Sequence, residues 1–294
     1  MPIGASAALA TQIQTNQTKF GNPTTYQIDA NTESDTIQPF VEFEWKPISG
    51  LSLIPGFKYV DYHRYHQANV DRVTKLPNDL SMAYTLPLFT ARYKATGNFT
   101  VYVQAAKGWQ VPPVADAYIS AANVASPNRT PPATTWNYQT GFVYKTGRFT
   151  VDGDIYKIDF GNLTQTTQDP SNIQKTIQTL LGGVTYKGLE GEMTYVLGHG
   201  LSTFASGSLS SAKATATNLW ISETPSATAA VGLMLNSDGF SASVIAKYTG
   251  PRYAGSQSAT QFDNRMVAYT IANATVGYKF TPKSSFFVSL GVTY

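Results

Sequence analysis

Apolar and polar residues alternate with a period of two along much of this chain. From Ile37 to Lys46 the odd positions Ile37, Pro39, Val41, Phe43 and Trp45 are apolar, and the even ones, Phe40 excepted, are polar or charged. A slip of one residue puts Glu42, Glu44 and Lys46 on the oily side, so the register is well specified. The pattern recurs. Phe149, Val151 and Ile155 oppose Arg148, Asp152 and Asp154; Leu189, Met193, Tyr195 and Leu197 oppose Glu190, Glu192 and Thr194. Phe240, Ala242, Val244, Ala246 and Tyr248 oppose Ser241, Ser243 and Lys247. Side chains of a strand point alternately to its two faces, so this periodicity predicts strands with one oily and one wet face. They fall near 36–47, 50–63, 84–96, 98–108, 133–146 and 148–160, then 184–197, 200–212, 225–236, 239–250, 267–280 and 285–294. Each is about ten to thirteen residues long, enough to cross a bilayer at a tilt.

The connections alternate too. Pro47-Ile48-Ser49-Gly50, Thr96-Gly97-Asn98, Thr146-Gly147, Gly198-His199-Gly200, Ser237-Asp238-Gly239 and Thr281-Pro282-Lys283 are tight-turn sequences between two strand patterns. Between those hairpins lie longer polar stretches at 64–83, 109–132, 161–183, 213–224 and 251–266. Transmembrane barrels sort their loops this way, with short turns in the periplasm and long loops outside. A soluble sandwich has no reason to do so. The expected fold is therefore all-β, a transmembrane antiparallel up-and-down β-barrel.

Composition narrows the reading. Charged residues are 13% of the chain, about half the share usual for a soluble domain. Aromatics also reach 13%, led by 18 Tyr and 15 Phe, yet the mean hydropathy is near neutral. The formal charge of +3 is too small to propose nucleic acid as a partner. The absence of Cys removes thiolate chemistry, disulfides and Cys-based metal sites. No apolar run is long enough for a transmembrane helix, and Met1 to Ala10 lacks the basic start and apolar core of a signal peptide. Tyr59, Tyr62, Tyr144, Tyr195, Tyr248, Tyr278 and Phe280 sit near strand ends, where interfacial aromatic girdles fall.

Several segments resemble the barrel of TonB-dependent receptors, in that family's order. Pro39-Phe40-Val41-Glu42-Phe43-Glu44-Trp45 followed by Gly50-Leu51-Ser52-Leu53-Ile54-Pro55-Gly56-Phe57-Lys58-Tyr59 is similar to a mid-barrel hairpin. Ala106-Lys107-Gly108-Trp109-Gln110-Val111-Pro112-Pro113 resembles a strand end before a long loop, with Gln110 in place of the usual Arg. Trp136-Asn137-Tyr138-Gln139-Thr140-Gly141 and Tyr156-Lys157-Ile158-Asp159-Phe160-Gly161-Asn162-Leu163 look like the opening and close of the next hairpin. Tyr186-Lys187-Gly188-Leu189-Glu190-Gly191-Glu192, then Gly200-Leu201-Ser202 and Ser210-Ser211-Ala212-Lys213, match the following pair. Val244-Ile245-Ala246-Lys247-Tyr248-Thr249-Gly250-Pro251-Arg252-Tyr253 is similar to the Tyr-x-Gly-x-Arg-Tyr strand end.

The resemblance implies a barrel of about twenty-two strands closed around a plug, in the bacterial outer membrane. It further implies uptake of a scarce nutrient such as a ferric siderophore, driven by TonB acting on the plug. None of the plug's motifs occurs in this chain. If the turn near Pro282 is periplasmic, Tyr294 ends a strand on the extracellular side, so at least one more strand is expected. On this reading residues 1–35 are an extracellular loop segment and 36–294 a partial barrel, truncated at both ends and inactive alone.

An enzyme reading finds little support. His63 and His66 point to opposite faces of one strand, and His199 lies in a turn, so they form no metal site. No Ser, His and Asn or phosphate-loop constellation stands out; Gly182-Gly183 reads as a loop joint. No cofactor is expected. The ligand mouth that the resemblance implies draws on Trp109, Tyr118, Arg129, Trp136, Trp220, Arg252, Tyr253 and Arg265, all in or beside long connections. Aromatics with arginines suit flat anionic ligands through stacking and charge-assisted hydrogen bonds; packing of loop on loop is the plainer role for each. Glu42, Glu44, Asp152, Asp154, Glu190 and Glu192 face the lumen, where they hold water or meet a plug. Two other functions fit the same pattern: a passive porin or small self-contained barrel, and a surface β-protein such as an adhesin.

Overall fold

The computed structural model describes residues 29–70, 78–111, 131–169, 172–254, 265–281 and 284–293. Every regular element among them is a strand: β1 (Asp29–Ile37), β2 (Phe40–Glu42), β3 (Trp45–Ile48), β4 (Leu51–Val70), β5 (Asn78–Lys94), β6 (Phe99–Gln110), β7 (Ala133–Lys145) and β8 (Phe149–Asp169). The others are β9 (Asn172–Gly198), β10 (Leu201–Ala214), β11 (Ala227–Ser237), β12 (Phe240–Thr249), β13 (Arg252–Tyr253), β14 (Arg265–Met266), β15 (Tyr269–Thr281) and β16 (Ser284–Thr293). The main sheet runs in sequence order, β1-β4-β5-β6-β7-β8-β9-β10-β11-β12-β15-β16, with β2 and β3 also on β4. Strands next in sequence are next in space, the up-and-down order that loop alternation predicts. The pairings resolved residue by residue are antiparallel.

Turn chemistry fixes the short ends. His199 and Gly200 (φ 51° and 78°) and Asp238 and Gly239 (φ 50° and 82°) both place two successive residues at positive φ, the two-residue hairpin geometry that matches strand twist. Thr96 and Thr146 close their turns alike. Each hydroxyl oxygen accepts the amide three residues on, Phe99 at 3.1 Å and Phe149 at 3.0 Å, while each threonine N–H bonds the carbonyl of that same residue.

The structure departs from the pattern in four places. The first strand is interrupted into β1, β2 and β3, all held by β4, and it begins earlier than predicted, at Asp29. The stretches 64–83 and 161–183 are not simple loops, because β4, β5, β8 and β9 run on into them. Gly182 is not a joint between elements. It sits inside β9 at a bulge opposite the Asn162–Leu163 step, where Asn162 (φ 57°) and Gly182 (φ 72°) take up the irregularity. Finally, the short pair β13–β14 occupies the edges of the 251–266 connection.

By contacts the chain divides into two units, one of residues 1–42, 56–87 and 109–132, the other of 43–55, 88–108 and 133–294. In the second unit the alternation of faces is regular. Phe149, Val151 and Ile155 of β8 stand opposite Tyr195, Met193 and Leu189 of β9, and beyond these come Thr203, Ala205 and Leu209 of β10. The row continues through Leu233 and Val231 of β11 to Val244 and Ala246 of β12. These side chains do not meet another layer: Ile155 is 58% exposed, Leu209 57%, Val231 54% and Val244 56%. Buried hydrophobics are few among the described residues, and Val184, Ala212, Ala214 and Ile221 form a small cluster under the long-connection end, packed by Phe160, Leu163 and Tyr186. A soluble monomer rarely leaves a continuous apolar face of this extent open. No helix among the described residues is long and apolar enough to cross a membrane.

Candidate functional site

Two faces of one sheet make up the candidate site, and the register assigns each residue to one of them. On the apolar face of the second unit, aromatic rings gather at the short-turn end. Phe149 lies 6.3 Å from both Tyr144 and Tyr195, and Tyr278 makes an edge contact with Phe280 at 4.9 Å. At the long-connection end the same face carries Tyr248 and a stacked pair, Trp136 and Tyr138, 5.9 Å apart with ring planes 10° from parallel. The strand between such ends is long enough for a membrane. The eleven residues of β11, at about 3.4 Å per residue and a tilt of about 40°, rise roughly 26 Å against the roughly 25 Å apolar band of outer-membrane barrels. Tyr59, in the first unit, is likewise exposed. Tyr62 is not on that face: it lies three residues from Tyr59, an odd separation in a strand, and packs against Trp109 at 5.7 Å.

The polar face of the second unit holds Asp152, Asp154, Glu190 and Glu192. Register pairs Asp152 with Glu192 and Asp154 with Glu190, so the carboxylates face each other two by two. They line a cavity of about 410 Å³ together with Tyr102, Ser206, Ser208 and Thr228. The Tyr102 hydroxyl donates to Asp154 Oδ2 at 3.3 Å, and Ser208 Oγ and Thr228 Oγ1 are 2.7 Å apart. Towards the short turns the sign reverses. Glu44 meets Lys46 at 2.9 Å and Arg92 at 3.8 Å, and the two basic residues line a second hollow of about 660 Å³ with Lys94 and Lys145. Glu42, in the first unit, is exposed beside β4, opposite Gly56. Among the described residues no group of His, Asp and Glu could hold a metal ion.

The long-connection residues split into two sets and an outlier. Trp220, Tyr253 and Arg265 come together: the rings of Trp220 and Tyr253 are 6.4 Å apart, Tyr253 pairs with Arg265 in β13–β14, and the three line a cleft of about 110 Å³ with Pro251. Arg252 lies beside them, its guanidinium 5.4 Å from the Tyr269 ring. Glu223 and Ser226 tie this ledge down by donating their amides to the carbonyls of Tyr253 and Pro251. Trp109 belongs to a separate aromatic group with Tyr62 and Tyr84 in the first unit, and its indole N–H is buried without a partner. Trp136 joins neither, because it stands with Tyr138 on the apolar face. Tyr118 and Arg129 lie outside the described residues. Lys213, which sequence reasoning passed over, stacks its ammonium over Trp220 at 5.9 Å; only the strand pairing of Lys213 with Trp220 reveals it.

A family model, "TonB dependent receptor-like, beta-barrel", matches residues 4–293. A comparison with curated proteins finds no match. Among solved structures, the chain is similar to the ferric-catecholate import receptor Fiu from K12 E. coli, with TM-score 0.66, 16% identity and coverage of 88% of this chain and 40% of that one. It is similar to the ferric citrate transporter FecA with TM-score 0.69, 17% identity, 92% of this chain and 41% of that one. For the copper transporter OprC the values are 0.73, 12%, 88% and 42%. The chain therefore spans about 40% of the length of these structures, and at such identities the likeness is one of fold.

Proposed function

The chain belongs to the family of TonB-dependent receptor-like β-barrels, and from that premise we propose that it forms part of an outer-membrane receptor for energy-coupled uptake of a scarce nutrient, a ferric siderophore. The family is one of outer-membrane transport receptors. The observation that carries the membrane part of the reading is the open apolar face, bounded by aromatics at each end of its strands and backed by a charged wall. Hydrocarbon is the solvent that such a face needs, at about 25 cal/mol for each Å² of apolar surface removed from water.

The transport part is supported by the opposite face and the ledge. In an energy-coupled receptor a plug occupies the lumen, and the paired carboxylates and the Lys46–Glu44–Arg92 group provide charges of both signs to meet it. Tyr253, Arg252 and Arg265 offer a flat ring beside guanidinium groups, which suits a planar anionic chelate. TonB is the partner that supplies the energy, through the plug of the whole receptor. The test is uptake of radioactive iron from ferric catecholate, hydroxamate and citrate complexes by cells carrying the gene for this chain. Uptake of one class that is lost on deleting either this gene or TonB supports the proposal. Iron uptake unchanged by deletion, or a TonB-independent ion conductance in planar bilayers, overturns it in favour of a passive pore.

A further inference from the structure

Beyond Ile155 and Leu189, the last large aliphatic residues of the apolar face in β8 and β9, the next pair in register is Lys157 opposite Lys187. One step further the same face brings Lys213 of β10 opposite Thr185. We propose that these three lysines form a binding surface for the phosphate groups of a lipid in the outer leaflet. The inference rests on the membrane reading above and adds a specific lipid chemistry to it.

The register itself argues for an anion. Like charges directly opposite on neighbouring strands repel, and Lys157 and Lys187 occupy such a pair. The carboxylate at hand is Asp159, which bonds Lys157 Nζ at 2.7 Å and accepts the Thr185 hydroxyl at 2.8 Å. That leaves Lys187, which is exposed, without a carboxylate partner among the described residues. The acidic residues Asp154 and Glu190 cannot serve, since they point to the other face. The surroundings fit a headgroup zone: the patch lies directly outside the aliphatic rows, with the Trp136–Tyr138 stack on one flank and Trp220 against Lys213 on the other. Tryptophan and tyrosine concentrate at membrane interfaces, and lysines there are drawn to anionic lipid. On the polar face at the short-turn end, by contrast, Lys46, Arg92, Lys94 and Lys145 line a hollow turned away from lipid.

The full chain is inserted into phosphatidylcholine vesicles and titrated with dansyl-labelled lipid A carrying two phosphates, with energy transfer from tryptophan as the readout. A lysine near an anionic lipid surface contributes about a fivefold preference (~1 kcal/mol). With Lys157 partly engaged by Asp159, Lys187 and Lys213 carry most of the effect, and the triple variant K157Q/K187Q/K213Q is expected to lose about twenty-five-fold in apparent affinity while inserting normally. Lipid A stripped of both phosphates is expected to show the same loss with the unaltered chain, and K94Q/K145Q to show none. Equal affinity of the triple variant and the unaltered chain, with insertion intact, overturns this inference and leaves the membrane reading standing. Displacement of lipid A by an equal concentration of inorganic phosphate overturns the choice of a lipid. Failure of the unaltered chain to insert at all overturns the membrane reading, and this surface with it.

Discussion

Replacing Val231 by arginine separates lipid from water as the solvent of the apolar face. Val231 lies at the middle of β11, between Ala205 of β10 and Ala246 of β12, and is 54% exposed. In a water-soluble protein a substitution at so open a position stays within about 0.5 kcal/mol. Against hydrocarbon at mid-depth an arginine costs about 2–4 kcal/mol, which is roughly thirty-fold to several hundred-fold in the folding equilibrium. Two neighbours serve as controls. Ala230 turns to the polar face between Ser206 and Lys247, so Ala230→Arg meets water and one like charge, a cost below about 1 kcal/mol. Leu235 lies on the apolar face close to the Asp238–Gly239 turn, where an arginine reaches the interface and costs about 0–1 kcal/mol. The assay is urea unfolding of the chain from phosphatidylcholine vesicles, followed by tryptophan fluorescence, with midpoints compared at constant slope. Costs of Val231→Arg and Ala230→Arg within about 0.5 kcal/mol of each other would mean that both faces meet the same solvent.

Gly200→Ala is expected to destabilise by more than about 1 kcal/mol, because Gly200 holds φ 78° and a Cβ there drives into the Asn236 carbonyl; a urea midpoint equal to that of the unaltered chain contradicts this. Tyr102→Phe removes the donor to Asp154 Oδ2 and is expected to cost about 1 kcal/mol, measured in the same titration; a neutral result places no weight on that bond. With the uptake proposal as premise, Arg265→Ala is expected to weaken binding of an anionic ferric chelate about tenfold or more with unchanged expression. Affinity within twofold, read by tryptophan quenching, removes the ledge from the ligand site.

Strand positions in the membrane-crossing part were legible because each face meets a different solvent. In β8, Phe149-Thr150-Val151-Asp152 must alternate, and the Asp-Gly and His-Gly turns announce hairpin geometry through residues that tolerate positive φ. Beyond that part the alternation stops. Thr164 to Asp169 are polar at every position, so nothing in the sequence distinguishes the extension of β8 from a loop, although it pairs with β9 through Gln168. Interruptions of a strand were hidden for the converse reason: alternation from Ile37 to Trp45 survives the breaks between β1, β2 and β3. Parity alone separates Tyr62 from Tyr59, a distinction that proximity to a strand end obscures. The ledge was half legible. Its aromatics and arginines stand out by type, but which of them meet depends on β13–β14 and the Lys213–Trp220 bridge, both set by long-range pairing.

The central claim is that alternate residues of one strand see hydrocarbon and water, and a spin-label scan along β11 in vesicles tests it residue by residue. Labels at Ala229, Val231, Leu233 and Leu235 are predicted to relax with lipid-soluble oxygen, and those at Thr228, Ala230 and Met234 with a water-soluble nickel chelate. Oxygen and nickel accessibilities that rise and fall together along the strand, or apolar positions closed to both reagents, contradict it.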